Sequence, residues 1–326
     1  MEGLLRIGNL TIQAKERTGC VTIVDNISFN IKPGQTVGVV GESGCGKSMT
    51  ALAIVGLLRK KIQISNGHVL FQGKNLAAMR SDQVRKFCGK EIGFIFQEPM
   101  TALNPMFKIG RQLAEPMLDH LKLTKEEAYS RSIELLNEVG IKDAENVMNC
   151  YPHHFSGGMR QRVLIAMAIS CNPKLLIADE PTTALDVITQ AQILKLLKKL
   201  IKERNMALLL ISHDLGVISQ MSENVLVMYS GELIEEGKIR NIINYPQHPY
   251  TEKLISAVRE MTGDKERLLV VKGSVPRPED DIKGCKFSQR CEFKRSICER
   301  ESPPIKWSQD DGGRVKCWKY HNDFLE

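Results

Sequence analysis

The stretch Gly41-Glu42-Ser43-Gly44-Cys45-Gly46-Lys47-Ser48 decides the fold of this chain, because it follows the spacing GxxxxGK[ST]. The apolar run Val37–Val40 directly before it predicts a buried β-strand, and the mostly apolar run Met49–Leu58 after it predicts a helix. The stretch is therefore predicted to be the loop of a strand–loop–helix unit.

Such a loop has the chemistry of a phosphate-binding site. Glycines let successive backbone N–H groups turn toward an anion, and the helix that follows adds its free N–H groups and its dipole. Lys47 brings a positive charge to the outer phosphates, and the hydroxyl of Ser48 is suited to ligate Mg²⁺. A chance glycine-rich turn is the alternative, but the full motif in this setting favours a nucleoside triphosphate site.

Size and composition describe an ordinary globular protein. The chain has 326 residues, 42% of them apolar and 25% charged, which allows about two domains. No apolar run approaches the ~18 residues of a membrane span, and the N-terminus lacks the pattern of a signal peptide. We therefore expect a cytosolic protein that meets a membrane only through a partner. The formal charge of +7 is spread along the chain without a basic block, so nucleic acid is not an expected partner.

The order of predicted elements indicates an α/β fold. Short β segments occupy residues 1–35, and strands alternate with helices from 157 to 211, which predicts a parallel sheet. Two helices, Ile109–His120 and Thr124–Val139, form a predicted helical insertion between strands, with Thr124 as N-cap and Gly140 as the C-terminal stop. His68–Phe71 predicts a further β-strand after the first helix, and Ser230-Gly231 predicts a hairpin turn.

Two carboxylates end a predicted strand. The apolar run Leu175–Ala178 is followed by Asp179 and Glu180. Beside a phosphate loop, Asp179 can hold Mg²⁺ directly or through water, and Glu180 can polarise the attacking water as a general base. Paired carboxylates alone are a weak signal, and the upstream loop makes them a strong one.

A second candidate anion site lies at Phe155-Ser156-Gly157-Gly158-Met159-Arg160-Gln161. Ser156 is the predicted N-cap of a helix, and the glycines leave that helix start bare. An ordinary cap with a flexible loop is the alternative. One nucleotide does not need two helix ends, unless the second serves the nucleotide of a neighbouring subunit.

Taken together, these motifs resemble those of the ATP-binding subunits of ABC transporters. The matches are Walker A at Gly41–Ser48, the Q-loop at Gln97, the signature at Ser156–Gln161, Walker B and its glutamate at Asp179 and Glu180, the D-loop at Ala184-Leu185-Asp186, and the switch histidine at His213. The resemblance implies a P-loop NTPase core with an N-terminal antiparallel β subdomain and a helical subdomain at about residues 98–160.

The same resemblance implies a mechanism in which two subunits pair head to tail around two ATP molecules. The Ser156 hydroxyl and Gly158 would cap the γ-phosphate held by the partner. Glu180, His213 and Gln97 would be catalytic, with Gln97 also contacting Mg²⁺ together with Ser48 and Asp179. The implied ATP contacts in the loop are Gly41, Ser43, Gly44, Cys45, Gly46, Lys47, Ser48 and Met49.

One departure from the family concerns adenine. The family usually has an aromatic residue near position 14 that stacks on the base, whereas this chain has Ala14 and no aromatic residue before Phe29. We name Arg17 as a substitute that could stack on adenine.

Further stretches are similar to the oligopeptide and dipeptide import branch, namely Gln97–Pro105, Tyr151–Phe155 and His248–Thr251. The branch implies a second, homologous ATPase subunit in a heterodimer, two transmembrane permease subunits and an external peptide-binding protein. It also implies a peripheral position on the cytoplasmic face of the membrane. A nickel importer is the nearest alternative. A soluble ABC ATPase acting on ribosomes or DNA is a rival that usually has two cassettes or a long coiled coil.

Four cysteines mark the C-terminal segment, which we separate as residues 251–326 from a nucleotide-binding domain at 1–250. Their spacing is Cys285-x5-Cys291-x6-Cys298-x18-Cys317. In a cytosolic chain such a group points to metal rather than disulfides. Structural zinc usually uses a Cys-x2–4-Cys knuckle, which is absent, whereas a [4Fe–4S] cluster accepts wider spacings. Binding of Zn²⁺ and four unligated thiols are the two alternatives to a cluster. The resemblance to dipeptide members of the branch also favours a [4Fe–4S] cluster.

Overall fold

The computed structural model describes residues 3–16, 19–183, 185–261, 274–280, 282–308 and 312–321. The strands are β1 Leu5–Glu16, β2 Gly19–Ile31, β3 Thr36–Val40, β4 Ile62–Phe71, β5 Lys74–Asn75, β6 Ile92–Ile95, β7 Leu175–Asp179, β8 Ala207–Ile211, β9 Asn224–Tyr229, β10 Glu232–Lys238, β11 Ile305–Trp307 and β12 Arg314–Lys316. The helices are α1 Lys47–Ile54, α2 Ser81–Val84, α3 Pro99–Ala102, α4 Ile109–His120, α5 Lys125–Glu138, α6 Ala144–Val147, α7 Gly157–Ile169, α8 Val187–Arg204, α9 Leu215–Met221, α10 Ile239–Asn244, α11 Pro249–Met261 and α12 Ser296–Arg300.

The chain divides into two compact units, which we call unit 1 and unit 2. Unit 1 comprises Met1–Leu4, Ile31–Thr36 and Ala78–Ile211. Unit 2 comprises Leu5–Asn30, Val37–Ala77 and Ser212–Glu326. No helix in the described part of the chain is long and apolar enough to cross a membrane.

Unit 1 contains a parallel sheet in which β7 lies between β6 and β8. Every residue of β7 and β8 is buried, as expected for parallel strands with both faces covered. The expected alternation of strand and helix is therefore confirmed in this unit. The strand β7 ends at Asp179, so the sheet brings this carboxylate to the carboxyl edge of the strand.

The helical insertion predicted from the sequence forms α4 and α5 in unit 1. Thr124 caps α5 as predicted: the N–H of Glu127 donates to the Thr124 hydroxyl at 3.2 Å, and the N–H of Thr124 donates to the Glu127 carboxylate at 2.8 Å. Gly140 follows with φ +77° and ends the helix in the left-handed conformation.

Unit 2 contains two sheets. The first is antiparallel, with the strand order β2-β1-β4-β5. In the second, β3 pairs in parallel with β9, β9 pairs with β10 in a hairpin, and β12 joins β10 on its other side. The hairpin turns at Ser230 and Gly231 as predicted, and both residues have positive φ.

Two element boundaries differ from the sequence-based expectation. The helix after the loop was expected over Met49–Leu58, but α1 ends at Ile54, and Gly56 follows with φ +67°. A glycine in this conformation terminates a helix. The strand expected at His68–Phe71 begins earlier, at Ile62, because the polar residues before it pair with β1. Neither the boundary at residue 250 nor the limits of the helical subdomain is tested by these elements, and both stay predictions.

Candidate nucleotide-binding site

The phosphate loop connects β3 to α1 in unit 2, as the motif predicted. Gly44 has φ +81° and Gly46 has φ +98°, a conformation that other residues rarely adopt. At Gly46 an added Cβ would also meet Val24 Cγ2 at 2.9 Å. Gly46 is thus required by both backbone conformation and packing, whereas Gly44 is required by its conformation, since an added Cβ there would meet no atom within 4 Å.

Lys47 lies across this loop. Its side chain is buried, and Nζ donates to the carbonyl oxygens of Gly41 at 2.8 Å and Glu42 at 3.0 Å. Cys45 is fully buried beside it, and burial raises the pKa of the Cys45 thiol, although the nearby Lys47 charge lowers it. The loop therefore presents one buried cation and no thiolate, which suits a phosphate chain.

His213 is exposed and lies two residues beyond Ile211, the last residue of β8. Ser212, the residue before it, belongs to unit 2 and donates its N–H to the carbonyl oxygen of Val39 in β3 at 3.1 Å. Asp214, the residue after it, caps α9 by accepting from the N–H of Gly216 at 2.7 Å. The backbone on both sides of His213 is thus fixed, which fixes the direction in which this side chain leaves the strand end.

The two predicted carboxylates of unit 1 have different surroundings. Asp179 is 5% exposed at the end of β7. Glu180 has φ +47°, and its N–H donates to the carbonyl oxygen of Ile211 at 2.9 Å. Its carboxylate accepts from Gln97 Nε2 at 3.0 Å and from the Thr183 hydroxyl at 2.8 Å. The structure therefore brings Gln97 and Glu180 together, and it adds Thr183, which no sequence motif indicated.

The start of α7 is built as predicted. Ser156 is its N-cap and accepts from the N–H of Met159 at 3.3 Å. Gly158 lies so close to α8 that an added Cβ would meet Thr189 Cγ2 at 2.6 Å. Asp186 caps α8 by accepting from the N–H groups of Ile188 and Thr189, so the helix start at the signature and the Asp186 turn form one packed feature of unit 1.

The predicted site residues thus fall in both units. Unit 2 contains the loop Gly41–Ser48, Met49 and His213, and unit 1 contains Gln97, Ser156, Gly158, Asp179 and Glu180. Two residues named from the sequence, Arg17 and Ala184, lie outside the described residues. Ala14 pairs with Ile62 between β1 and β4 and offers no aromatic ring for adenine.

The four C-terminal cysteines of unit 2 line one small cavity, together with Phe287, Trp318 and other residues. Burial raises the pKa of the Cys285 thiol to about 12 and that of Cys317 to about 11, and neighbouring cysteines add to both shifts. The described residues contain no group of three or more His, Cys, Asp or Glu side chains that could hold a metal ion. A metal-binding C-terminal domain is therefore not shown, although the thiols do converge.

Comparison with known protein families finds two matches along the chain. Residues 24–183 match the family described as ABC transporter. Residues 234–298 match the family described as oligopeptide/dipeptide transporter, C-terminal region.

Curated relatives match along the whole chain. The oligopeptide transport ATP-binding protein AppD of Bacillus subtilis is 43% identical, over 100% of this chain and 99% of its own length. The dipeptide transport ATP-binding protein DppD of Escherichia coli is also 43% identical, over 96% of each chain. This chain belongs to the ABC transporter ATP-binding proteins, in their oligopeptide and dipeptide branch.

Solved structures agree with this membership. The ATP-binding cassette MJ0796, solved as a dimer in a post-hydrolysis state with ADP and Pi, is 30% identical with a TM-score of 0.65, over 72% of this chain and 99% of its own. The cassette CbiO1 of Clostridium perfringens is 26% identical with a TM-score of 0.63, over 80% of this chain and 96% of its own. The expected α/β cassette fold with an antiparallel β subdomain and the expected ATPase activity are confirmed.

Proposed function

We propose that this chain hydrolyses ATP to drive the import of oligopeptides or dipeptides. The observation that carries the proposal is similarity over the full chain, cassette and C-terminal region alike, to relatives named as oligopeptide and dipeptide transport ATP-binding proteins. A nickel substrate stays the nearest alternative, because the nucleotide motifs of this chain do not distinguish one transported substrate from another.

The loop from Gly41 to Met49 binds the phosphates of ATP. Lys47 moves its ammonium from the carbonyl oxygens of Gly41 and Glu42 toward the outer phosphates, because a phosphate oxygen carries more negative charge than a carbonyl. ATP arrives with Mg²⁺, which the Ser48 hydroxyl, Asp179 and Gln97 are suited to hold through oxygen atoms.

Glu180 is the general base that polarises the attacking water. Its carboxylate is oriented by hydrogen bonds from Gln97 and Thr183, and a fixed base near the water raises the rate more than a mobile one. The exposed His213 contacts the γ-phosphate. Ser156 and Gly158 face the nucleotide of a partner subunit, and the packed start of α7 supports this role by fixing the helix end that presents N–H groups.

The chain acts at the cytoplasmic face of the membrane as a peripheral subunit. Its partners are a second, homologous ATPase subunit in a heterodimer, two transmembrane permease subunits and an external peptide-binding protein. Residues 1–250 form the nucleotide-binding domain, with its helical subdomain at about 98–160, and residues 251–326 form the C-terminal extension. The names of the curated relatives as transport proteins support the assignment to a membrane transporter.

The extension holds a [4Fe–4S] cluster on Cys285, Cys291, Cys298 and Cys317. The support is the donor set, since four thiols line one cavity, and such clusters are held by four cysteine thiolates. Zn²⁺ stays the alternative metal, because thiolates of this kind also bind zinc, at Zn–S distances of about 2.3 Å. When bound, the cluster would cross-link the irregular extension. Iron and sulfide analysis of anaerobically purified protein, with its visible spectrum, tests this point.

The variant Glu180→Gln tests the ATPase assignment. Because only the water-activating carboxylate is lost, we expect ATP binding to persist and steady-state hydrolysis to fall by about 10²–10⁴-fold. The exposed Glu115→Gln in α4 is the matched control. Hydrolysis by Glu180→Gln near the parental rate would refute Glu180 as the base.

Uptake assays test the substrate. In cells that lack this chain, we expect labelled di- and oligopeptide uptake to fall to background and to return with the parental chain but not with Glu180→Gln. Labelled nickel uptake is measured in the same cells. Loss of nickel uptake with peptide uptake unchanged would favour the alternative substrate.

A further inference from the structure

Glu42, the second residue of the phosphate loop, is held through all of its polar groups within unit 2. Its N–H donates to the hydroxyl of Tyr250 at 3.0 Å. Its carbonyl oxygen accepts from Lys47 Nζ at 3.0 Å. Both oxygens of its carboxylate accept from Arg290 Nη1, at 3.1 Å each. Glu42 therefore links the loop's lysine on one side to the C-terminal extension on the other.

Arg290 is placed for this contact by its own surroundings. Its side chain is only 5% exposed, and Nη1 also donates to the hydroxyl of Tyr229 at 3.1 Å. Its guanidinium lies 5.7 Å from the Tyr229 ring centroid and 5.9 Å from that of Phe287. Tyr229, Tyr250 and Phe287 pack against one another at centroid distances of 4.7–5.6 Å. This aromatic cluster fixes the guanidinium before any nucleotide arrives.

The charge of Arg290 matters because of where Glu42 lies. A carboxylate beside the phosphates of ATP repels them, and the repulsion is strong where water is partly excluded. The Glu42 side chain is 29% exposed, so solvent screens it only in part. Arg290 neutralises this carboxylate and holds it by two hydrogen bonds, which keeps the negative charge directed toward the extension.

We propose that Arg290 is a positioning residue for ATP binding, through which the C-terminal extension holds Glu42 and thereby sets the nucleotide affinity of the phosphate loop. The proposal rests on the proposed ATPase function. It gives the extension a role in the nucleotide site that holds whether or not a cluster occupies the cysteine cavity. Arg290 directly precedes Cys291 in the chain. A change in the conformation of the cysteine segment would therefore displace Arg290 and, through its side chain, Glu42.

Calorimetric titration of the purified chain with the magnesium complex of AMP-PNP, which is not hydrolysed, tests the proposal. For Arg290→Ala we expect the Kd to rise about tenfold, which corresponds to about 1.4 kcal/mol. In the double variant Arg290→Ala/Glu42→Gln the uncompensated charge is gone, and we expect the Kd to return to within about twofold of the parental value. The exposed Arg300→Ala in α12 is the matched control in the same extension.

Each outcome decides a different question. Recovery of affinity in the double variant supports charge compensation at Glu42, because removing the Glu42 charge would not restore affinity if Arg290 only packed the extension. An unchanged Kd in Arg290→Ala, or a weakened Kd that Glu42→Gln does not restore, overturns the proposal. Failure of the parental chain to bind the nucleotide would instead overturn the proposed function.

A conservative variant covers the case in which Arg290→Ala does not fold. Arg290→Lys keeps the positive charge but loses the planar guanidinium that lies against the rings of Tyr229 and Phe287. We expect its Kd to rise about threefold, with a thermal unfolding midpoint near that of the parental protein. A folded Arg290→Lys variant with parental affinity and a folded Arg290→Gln variant with the same affinity would together overturn the proposal.

Discussion

The phosphate loop and the C-terminal extension lie in the same unit but are ordered by different interactions. The loop is ordered by its backbone conformation and by contacts within itself, since Gly44 and Gly46 take positive φ values and the Lys47 side chain donates to carbonyl oxygens of the same loop. The described part of the extension has strands of only three residues, β11 and β12. It is held largely by side chains, such as Arg314 to Glu236 at 2.7 Å and Arg290 to Glu42.

This difference predicts how each region responds to a single substitution. A backbone-defined loop depends on a few residue types at fixed spacing, so one substitution removes its function and leaves the fold. The stability of a segment held by side chains is distributed over several ion pairs and packed rings, so one substitution removes only a fraction of that stability. Four substitutions, taken from the largest expected effect to the smallest, test this contrast.

Lys47→Ala has the largest expected effect. The variant loses the buried ammonium that meets the outer phosphates, and we expect nucleotide affinity to fall by about a hundredfold or more, since charge-assisted hydrogen bonds are the strong ones. The thermal midpoint of the free protein should change little, because the loop keeps its glycines. Equilibrium binding of magnesium AMP-PNP measures the effect, with the exposed Lys32→Ala as control. Parental affinity in Lys47→Ala would remove the loop from the nucleotide site.

Cys291→Ser tests the extension. We expect the iron content to fall from about four atoms per chain to near zero and the extension to lose stability, because metal binding energy contributes to folding. Nucleotide affinity should fall less than in Arg290→Ala, since Arg290 keeps its ring contacts. Iron analysis and protease resistance of the extension are measured. The control is Cys20→Ser, an exposed cysteine outside the cavity. An unchanged iron content would contradict the ligand assignment.

Arg314→Ala tests how β12 is held to β10. The Arg314 side chain is 9% exposed and that of Glu236 is 21% exposed, so removing Arg314 leaves a largely buried carboxylate without this partner. Burial raises the pKa of the Glu236 carboxyl, and the Arg314 charge opposes part of this rise. Removing Arg314 should therefore raise the pKa of Glu236 further. We expect a loss of about 2 kcal/mol in the free energy of unfolding. Denaturant unfolding measures it against the exposed Lys306→Ala in β11. Equal stability of the two variants would show that β12 is held by its backbone, as the loop is.

Tyr250→Phe has the smallest expected effect. It removes the hydroxyl that accepts from the N–H of Glu42 while keeping the buried ring. We expect a loss of about 1 kcal/mol in stability, the usual value of one hydrogen bond, and a slightly weaker nucleotide affinity. The exposed Tyr245→Phe is the control, since its side chain is 78% exposed. A loss of nucleotide affinity as large as that of Lys47→Ala would mean that the conformation of the loop depends on the extension more than on its own backbone.

Much of the fold could be predicted because its signals are local. The phosphate loop, the helices α4 and α5, the cap at Thr124 and the turn at Ser230-Gly231 each depend on a few neighbouring residues. The limits of α1 and β4 could not be predicted as well. A glycine ended α1 within an apolar run, and pairing with β1 extended β4 through polar residues.

The sequence by itself determined which chemistry this chain carries. Residue types at fixed spacing defined the phosphate loop, the paired carboxylates and the family, since backbone conformation and hydrogen-bonding capacity belong to single residues. Only the tertiary structure decided which side chains support them. Gln97 orients Glu180 from 83 positions away, and Tyr250 and Arg290 hold Glu42 from more than 200 positions away. No local pattern marks such contacts, because they arise from the packing of distant segments, which is set by the whole core.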